Sequence, residues 1–481
     1  MCSSDLVAEV VVGDLDHGRT YFDRIASLKA AEVSAAAARY LQPGRLTVVS
    51  SNPAAAAAAI TLAVAGPTAR TDFSEHRLPN GVRLLLQPDR RLPNVHFRVL
   101  MQGGALYERA GRRGATALLG TLLTKDTRRR SAAAVARHVE EVGGSIFPFS
   151  GNNSVGFGIE VLLPDVGRAI ELLGQALLQP AFRAGTLSLE REAQVAGLQQ
   201  DEDDVVTFAR KRLRERFFGP HPLALDAAGD IEGTKAITAD DLGLLHRSLV
   251  VGSNVVVAVA GDFEPGRVTR DLAKVLGRVP SGSAPRWHRP ETAGAVPGEA
   301  GEFTLHQPRE QAVVLQGFAG PSVNADDFHV GEVADELFSG MAARLFERVR
   351  EEKGLAYFVR SGRVTGLESG MFYFISGTQP GREREVLEEI NAEIARVRSG
   401  GVEPAELARC VARLKAARRQ SMQTNSARAM QAGLNALQGQ PINDWRNYDA
   451  RVEAVTISAL ADFAARRLAP ERRVQLVVCP P

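Results

Sequence analysis

Arg350 and Tyr357 stand seven residues apart in the run Arg344-Leu-Phe-Glu-Arg-Val-Arg-Glu-Glu-Lys-Gly-Leu-Ala-Tyr357, where a helical pattern gives way to a strand. A guanidinium presents a rigid fork of donors, and a phenol adds a donor and an acceptor. Together they can hydrogen-bond the carbonyl oxygens of a peptide, including one becoming an oxyanion. Neither group activates water or supplies a nucleophile, so the pair implies chemistry carried by another site. Taken singly, each has a plainer reading: an Arg at a helix end complements the dipole, and a Tyr on a strand packs.

The elements that position this pair are legible as a repeated order. Val95 to Met101 and Ala312 to Phe318 read as strands, each followed by glycine and a helix-period stretch. In the first half Leu78-Pro79-Asn80-Gly81-Val82 predicts a type I′ hairpin turn. Ser131 predicts the cap of a helix with Val135, Val139 and Val142 on its apolar face and Gly143 as its stop. A strand over 153–163 and a helix over 166–178 complete that half. The second half repeats the order: a helix through Val333 and Phe338, a short helix to Arg350, strands at 356–361 and 371–376, and a helix over 383–397. Strand alternation places Tyr357, Val359 and Ser361 on one face and Phe358 and Arg360 on the other.

The chain also realigns on itself without a gap, Arg19 to Pro53 against Arg446 to Pro480, and Ile237 to Gly261 repeats the same helix-then-strand ending. Three endings imply three units, the first truncated. The Ala-rich stretch 54–66 falls short of the roughly 20 apolar residues of a membrane span and reads as linker. The Gly, Pro and Ser-rich stretch from Pro280 to Gly301 reads as a second linker.

The stretch Leu345-Phe346 to Gly354-Leu355-Ala356-Tyr357 resembles the last domain of insulinase- and pitrilysin-type peptidases, the family that includes the mitochondrial processing peptidase. The resemblance implies that Arg350 and Tyr357 contact bound peptide and that paired halves close around it like a clamshell. It also implies a zinc site, His-x-x-Glu-His on a helix plus a more distant Glu, in which two His hold the metal and the Glu of the motif activates water. The stretch Gly114 to Lys125 matches the hydrophobic frame of that helix without its chemistry. Ala117, Gly120 and Thr121 stand where His, Glu and His would be, and by the register of Arg191-Glu192 the distant Glu falls near Gln199.

Other catalytic equipment is missing from the sequence. None of the nine histidines lies within five residues of another. Asp201 to Asp204 lacks the glycine and spaced ligands of a calcium loop and reads as a solvated helix break between Leu198 and Val205. No Gly-x-Ser-x-Gly elbow occurs, and Cys2, Cys410 and Cys479 are too dispersed for a disulfide framework or a thiolate metal site. With 58 basic and 56 acidic residues the chain is nearly neutral, which argues against nucleic acid as a partner. The basic run at Lys125 and Arg128 to Arg130 reads as a solvated loop or a contact for an acidic partner. The first residues carry no signal-peptide pattern; periplasm, with a leader lost upstream, and cytoplasm are both compatible.

The expected fold is α+β: two homologous layered domains of largely antiparallel sheet with helices, over 72–279 and 302–481, forming one half of a clamshell. A tail of a preceding homologous domain at 1–53 and a linker at 54–71 come before them. The expected function is that of a non-catalytic half which binds peptide or unfolded polypeptide for a zinc-bearing homologous half, fused upstream or separate. No cofactor is expected in this chain, and zinc is expected in that partner. The alternative is a structural or scaffold subunit with no role in cleavage, in which Arg350 and Tyr357 are vestigial.

Overall fold

A computed structural model describes residues 27–40, 71–225, 227–283, 300–340 and 343–481. The chain divides into two compact units, Met1–Ala69 and Arg70–Pro481. The described part of the first carries helix α1 (Ala30–Tyr40), none of whose residues is buried. The repeat copy at 19–53 lies outside the described residues apart from 27–40, as do residues 54–70 and 284–299 of the expected linkers at 54–71 and 280–301.

In the second unit the first half runs β1 (Ser74–Arg77), β2 (Arg83–Pro88), β3 (Asn94–Gln102), α2 (Ala115–Leu123), α3 (Ala132–Glu140), β4 (Ser145–Ser150) and β5 (Ser154–Leu162). It continues through α4 (Val166–Leu178), α5 (Ala184–Asp203), α6 (Val205–Phe218), α7 (Ile231–Lys235), α8 (Ala239–Leu249), β6 (Val255–Gly261) and α9 (Pro265–Leu276). The second half runs β7 (Gly301–His306), β8 (Ala312–Gly320), α10 (Phe328–Phe338), a π-helix (Phe346–Glu352), β9 (Ala356–Thr365) and β10 (Gly370–Thr378). It ends with α11 (Glu383–Arg398), α12 (Pro404–Ser421), α13 (Asn425–Leu437), α14 (Trp445–Glu453), α15 (Ile457–Arg467) and β11 (Val474–Cys479).

The strand orders are β1-β2-β6-β3-β5-β4 and β7-β11-β8-β10-β9. With β1 set aside the two sheets have one topology. The last strand of each half inserts centrally, parallel to the first (β6 to β2, β11 to β7) and antiparallel to the next (β6 to β3, β11 to β8). The remaining pairs are antiparallel. The fold is therefore α+β, two layered halves of largely antiparallel sheet and helix.

The central strands of each sheet are buried on both faces, which explains why β6, Val-Val-Val-Ala-Val-Ala-Gly, is apolar without alternation. One face packs on helices of its own half: Leu118, Leu122, Ile170 and Leu173 lie under the first sheet, and Val333, Leu337, Ile390 and Phe463 under the second. The other face is covered by a helix from the opposite half. Helix α6 lays Ala209, Leu213 and Phe217 on Val313, Leu315 and Ile375 of the second sheet. Helix α13 lays Ala429, Ala432 and Ala436 on Leu85, Leu100 and Val256 of the first.

The two exchanged helices differ in chemistry. The α6 contact is aromatic and aliphatic. The α13 contact adds buried charge: Arg428 donates to Gln87 Oε1 at 2.7 Å and Asp89 Oδ2 at 2.6 Å, and Arg98 of β3 bonds both Glu160 and Ser426. His96 and Arg98 hold the Glu160 carboxyl down at about 2, and Arg91 and Arg428 do the same for Asp89.

One local expectation is corrected. The segment Leu78–Val82 is a five-residue loop between β1 and β2, closed by Gly81 N–H to Leu78 O, not a type I′ turn. Gly81 has φ 97° while Asn80 does not enter the left-handed region. The Asn80 amide instead donates to Leu276 O and Val279 O at the end of α9, and that tie to a distant helix outweighs the local turn preference.

Candidate functional site

The junction carrying Arg350 is irregular at both of its elements. The Phe346–Glu352 helix is a π-helix, closed by Leu355 N–H to Val349 O at 2.9 Å, and Gly354 then turns the chain at φ 58°. Strand β9 follows as the edge of the second sheet. Its register against β10 slips once: Phe358 faces Gly377 and Ala356 faces Thr378, which leaves Tyr357 as the extra residue of a β-bulge. The simple alternation of Tyr357 with Val359 and Ser361 is thereby corrected. Ala356 and Val359 pack on the helices of their own half and Phe358 on the α6 side, while Tyr357 belongs to neither row and is 51% exposed.

Its cations separate into tied and free. Arg344 is fixed by Glu406 Oε1 at 3.0 Å and Gly401 O at 3.1 Å. Arg348 donates to Glu352 at 2.7 Å and Glu389 at 3.3 Å, and Lys353 also binds Glu389. Among the described residues Arg350 has only the neighbouring Glu351 at 3.7 Å and the Phe346 ring 4.7 Å from its guanidinium carbon. The surrounding charges anchor the junction to α11 and α12, and Arg350 projects outward with donors to spare. Glu389 is a positioning residue absent from the sequence reading; it lies 41 residues beyond Arg348, outside the range of any local spacing signal.

Helix α2 is where the resemblance places zinc. Gly114 caps it at φ 93°, and the buried Glu108 carboxylate accepts from Gly114 N–H at 2.9 Å and Thr116 N–H at 2.7 Å. These bonds satisfy amides that a helix N-terminus leaves free. Leu118, Leu119 and Leu122 fill the core. Ala117, Gly120 and Thr121 occupy the motif's spacing and offer a single hydroxyl among them. Gly120 is crowded by its surroundings as well: a Cβ there would sit 3.0 Å from Val155 Cγ2 and 3.4 Å from Phe149 O. A side chain there would require Val155 to give way by a few tenths of an ångström.

Gln199 is exposed on α5. The side chains α5 directs toward α2 are instead Glu190, paired with Lys125 at 2.7 Å, and Gln194, which donates to Gly114 O at 3.1 Å and Ala228 O at 2.9 Å. Zinc takes Cys, His, Asp or Glu ligands. The residues at α2 do not fit that donor set, and among the described residues no three such side chains converge elsewhere.

The remaining sequence candidates are structural. Asp204 caps α6 through Thr207 N–H at 2.7 Å, and Asp201, Glu202 and Asp203 pair with Lys211, Arg212 and Arg309. In the basic loop Lys125 and Arg130 are held by Glu190 and Glu171. Cys410 is buried on α12, where burial pushes its thiol up to about 11. No described helix is long and apolar enough to cross a membrane.

Comparison with known proteins identifies relatives of the chain. Residues 83–230 match the profile of the insulinase family, peptidase family M16, and residues 236–414 match that of the peptidase M16 inactive domain. An uncharacterized zinc protease of Streptomyces coelicolor is 27% identical over 342 residues, 70% of this chain and 74% of the relative. One from Bacillus subtilis is 24% identical over 360 residues, 74% and 86% of the two chains. Among solved structures, a protease from Helicobacter pylori superposes with TM-score 0.79 at 18% identity, over 85% of this chain and all of the other. A peptidase M16 inactive domain from Pseudomonas fluorescens gives 0.77 at 20%, over 85% and 98%. A chain of complex III2 from Candida albicans gives 0.71 at 14%, over 84% and 95%. By these matches the chain belongs to the insulinase, or M16, peptidase family.

Proposed function

We propose that this protein is the non-catalytic half of an M16-type peptidase, binding an extended peptide for a homologous half that carries zinc. The observation behind this reading is the contrast within one junction. Arg344, Arg348 and Lys353 are spent on anchoring, while Arg350 and Tyr357 face outward from a π-helix and a bulge. The lack of metal-ligating side chains at Ala117, Gly120 and Thr121 argues that the bond-breaking chemistry resides in the partner. Arg350 and Tyr357 would donate to backbone carbonyls of the substrate, contacts that strengthen as negative charge develops on the reacting oxygen. The names of the relatives, zinc proteases, support the peptidase setting.

The test is reconstitution with a zinc-bearing homologue and measurement of peptide hydrolysis. Adding this chain raises turnover, and Arg350→Ala removes the gain without changing the partner's zinc content. No gain from a complex verified by sedimentation overturns the proposal. A second reading, a scaffold subunit, is favoured by the fold shared with a chain of complex III2. Under it the complex assembles and Arg350→Ala leaves hydrolysis unchanged.

A further inference from the structure

A cavity of about 480 Å³ opens in the first half between the loop that precedes α2 and the exposed side of α8, away from the π-helix junction. Its size falls within the ordinary range of small-ligand sites, roughly 300–1,000 Å³. Tyr107, Ala115, Leu244 and Leu245 provide apolar wall, and Leu244 is 43% exposed. Three guanidinium groups border it: Arg109, Arg112 and Arg247.

Arg112 is held in place by its Nε to Asp241 Oδ2 at 2.8 Å and its Nη1 to Gly111 O at 2.9 Å, and its Nη2 has no partner among the described residues. Asp241 is itself fixed, since it accepts from Thr238 N–H in the capping box of α8. Arg109 and Arg247 are exposed and make no ion pair among the described residues. Glu108 also borders the cavity, with its two oxygens accepting from the Gly114 and Thr116 amides. Three cations therefore border the cavity with two carboxylates, Asp241 bonded to Arg112 and Glu108 bonded to backbone amides, which leaves an excess of one positive charge.

We propose that this cavity binds the carboxy-terminal end of a peptide whose last residue is apolar. The carboxylate lies among Arg109, Arg112 and Arg247, and the terminal side chain lies against Leu244, Leu245 and Tyr107. A preset guanidinium lowers the ordering cost of such binding. The apolar wall is short and interrupted by guanidinium groups, which suits one side chain beside a carboxylate better than a long acyl chain. The assignment does not depend on the role of Arg350 and Tyr357.

Calorimetric titration of the full chain with N-acetyl-alanyl-leucine, with its carboxy-terminal amide and with hexanoate tests the proposal. The acid binds and the amide binds at least about tenfold more weakly, the loss expected for charge-assisted hydrogen bonds. The double variant Arg109→Gln/Arg247→Gln loses a comparable factor with an unchanged thermal transition, and Leu244→Asp, which sets a like charge beside the ligand, does the same. Equal affinity for acid and amide, wild-type affinity in the double variant, or no binding by the acid overturns the site. Hexanoate binding as tightly as the dipeptide overturns the peptide assignment.

Discussion

The helix-to-edge-strand junction occurs twice in this molecule, as α3 into β4 and as the π-helix into β9, and the two copies spend equivalent positions in opposite ways. Each turns on a left-handed glycine, Gly143 at φ 65° and Gly354 at φ 58°. Four residues past each glycine an aromatic ring lies across a glycine of the next strand, Phe147 opposite Gly158 and Phe358 opposite Gly377. That shared contact aligns the copies. Three residues past the turn stand Ile146 and Tyr357, and four before it Val139 and Arg350. In the first half both residues pack in the core, the helix is regular, and β4 pairs with β5 without a slip. In the second half both are exposed, and helix and strand each depart from regular geometry. A π-turn and a bulge sacrifice regular hydrogen bonding and are retained where they re-aim side chains. Under the proposed function, the irregular copy is the one that would meet the peptide.

If so, substitution should separate turnover from stability in a crossed pattern. The largest effect expected is on hydrolysis by the reconstituted pair: Arg350→Ala and Tyr357→Phe each lower kcat/KM by about a hundredfold, the scale of a lost oxyanion donor. Their denaturant midpoints shift by less than about 0.5 kcal/mol, as for exposed positions. Val139→Ala in the first half does the reverse. It removes buried methyl groups and costs about 2 kcal/mol in urea unfolding, with kcat/KM per folded molecule unchanged. Equal loss of turnover in both variants would erase the distinction between the junctions.

Much of this arrangement is legible in the sequence because it is periodic. The strands around Val99 and Leu315, helix α4 and the Ser131 cap, whose hydroxyl accepts from Ala134 N–H, follow from alternation, helical spacing and capping chemistry. What was not legible depends on partners far along the chain. The alanine face of α13 shows that the helix packs, and nothing local shows that it packs on a sheet that begins more than 300 residues earlier, held there by Arg428 and Asp89. The bulge at Tyr357 is a property of the register between β9 and β10, so alternation read along β9 alone assigns the wrong face. Gln199 illustrates the same limit on a helix, where a slip of a few residues turns a side chain from α2 to solvent and puts Gln194 in its place.

The smallest and most discriminating expectation uses the glycines that align the two copies. A Cβ on Gly158 would fall 2.6 Å from the Phe147 ring, and one on Gly377 would fall 2.4 Å from the Phe358 ring. Gly158→Ala and Gly377→Ala should therefore each cost about 1–3 kcal/mol by forcing the ring aside. The stability losses match, but the consequences differ. In the first half the added methyl also meets Arg98 Nη1 at 2.7 Å, so the disturbance falls on Phe147 and the buried Arg98 contacts, away from the Tyr357 junction. In the second, Phe358 follows the bulged residue directly, so its displacement swings Tyr357 and lowers kcat/KM in the reconstituted pair. Measuring the two variants at a temperature where both are fully folded isolates this term: Gly158→Ala retains wild-type turnover, whereas Gly377→Ala loses severalfold. Wild-type turnover in Gly377→Ala would mean that the bulge does not aim Tyr357 at the substrate.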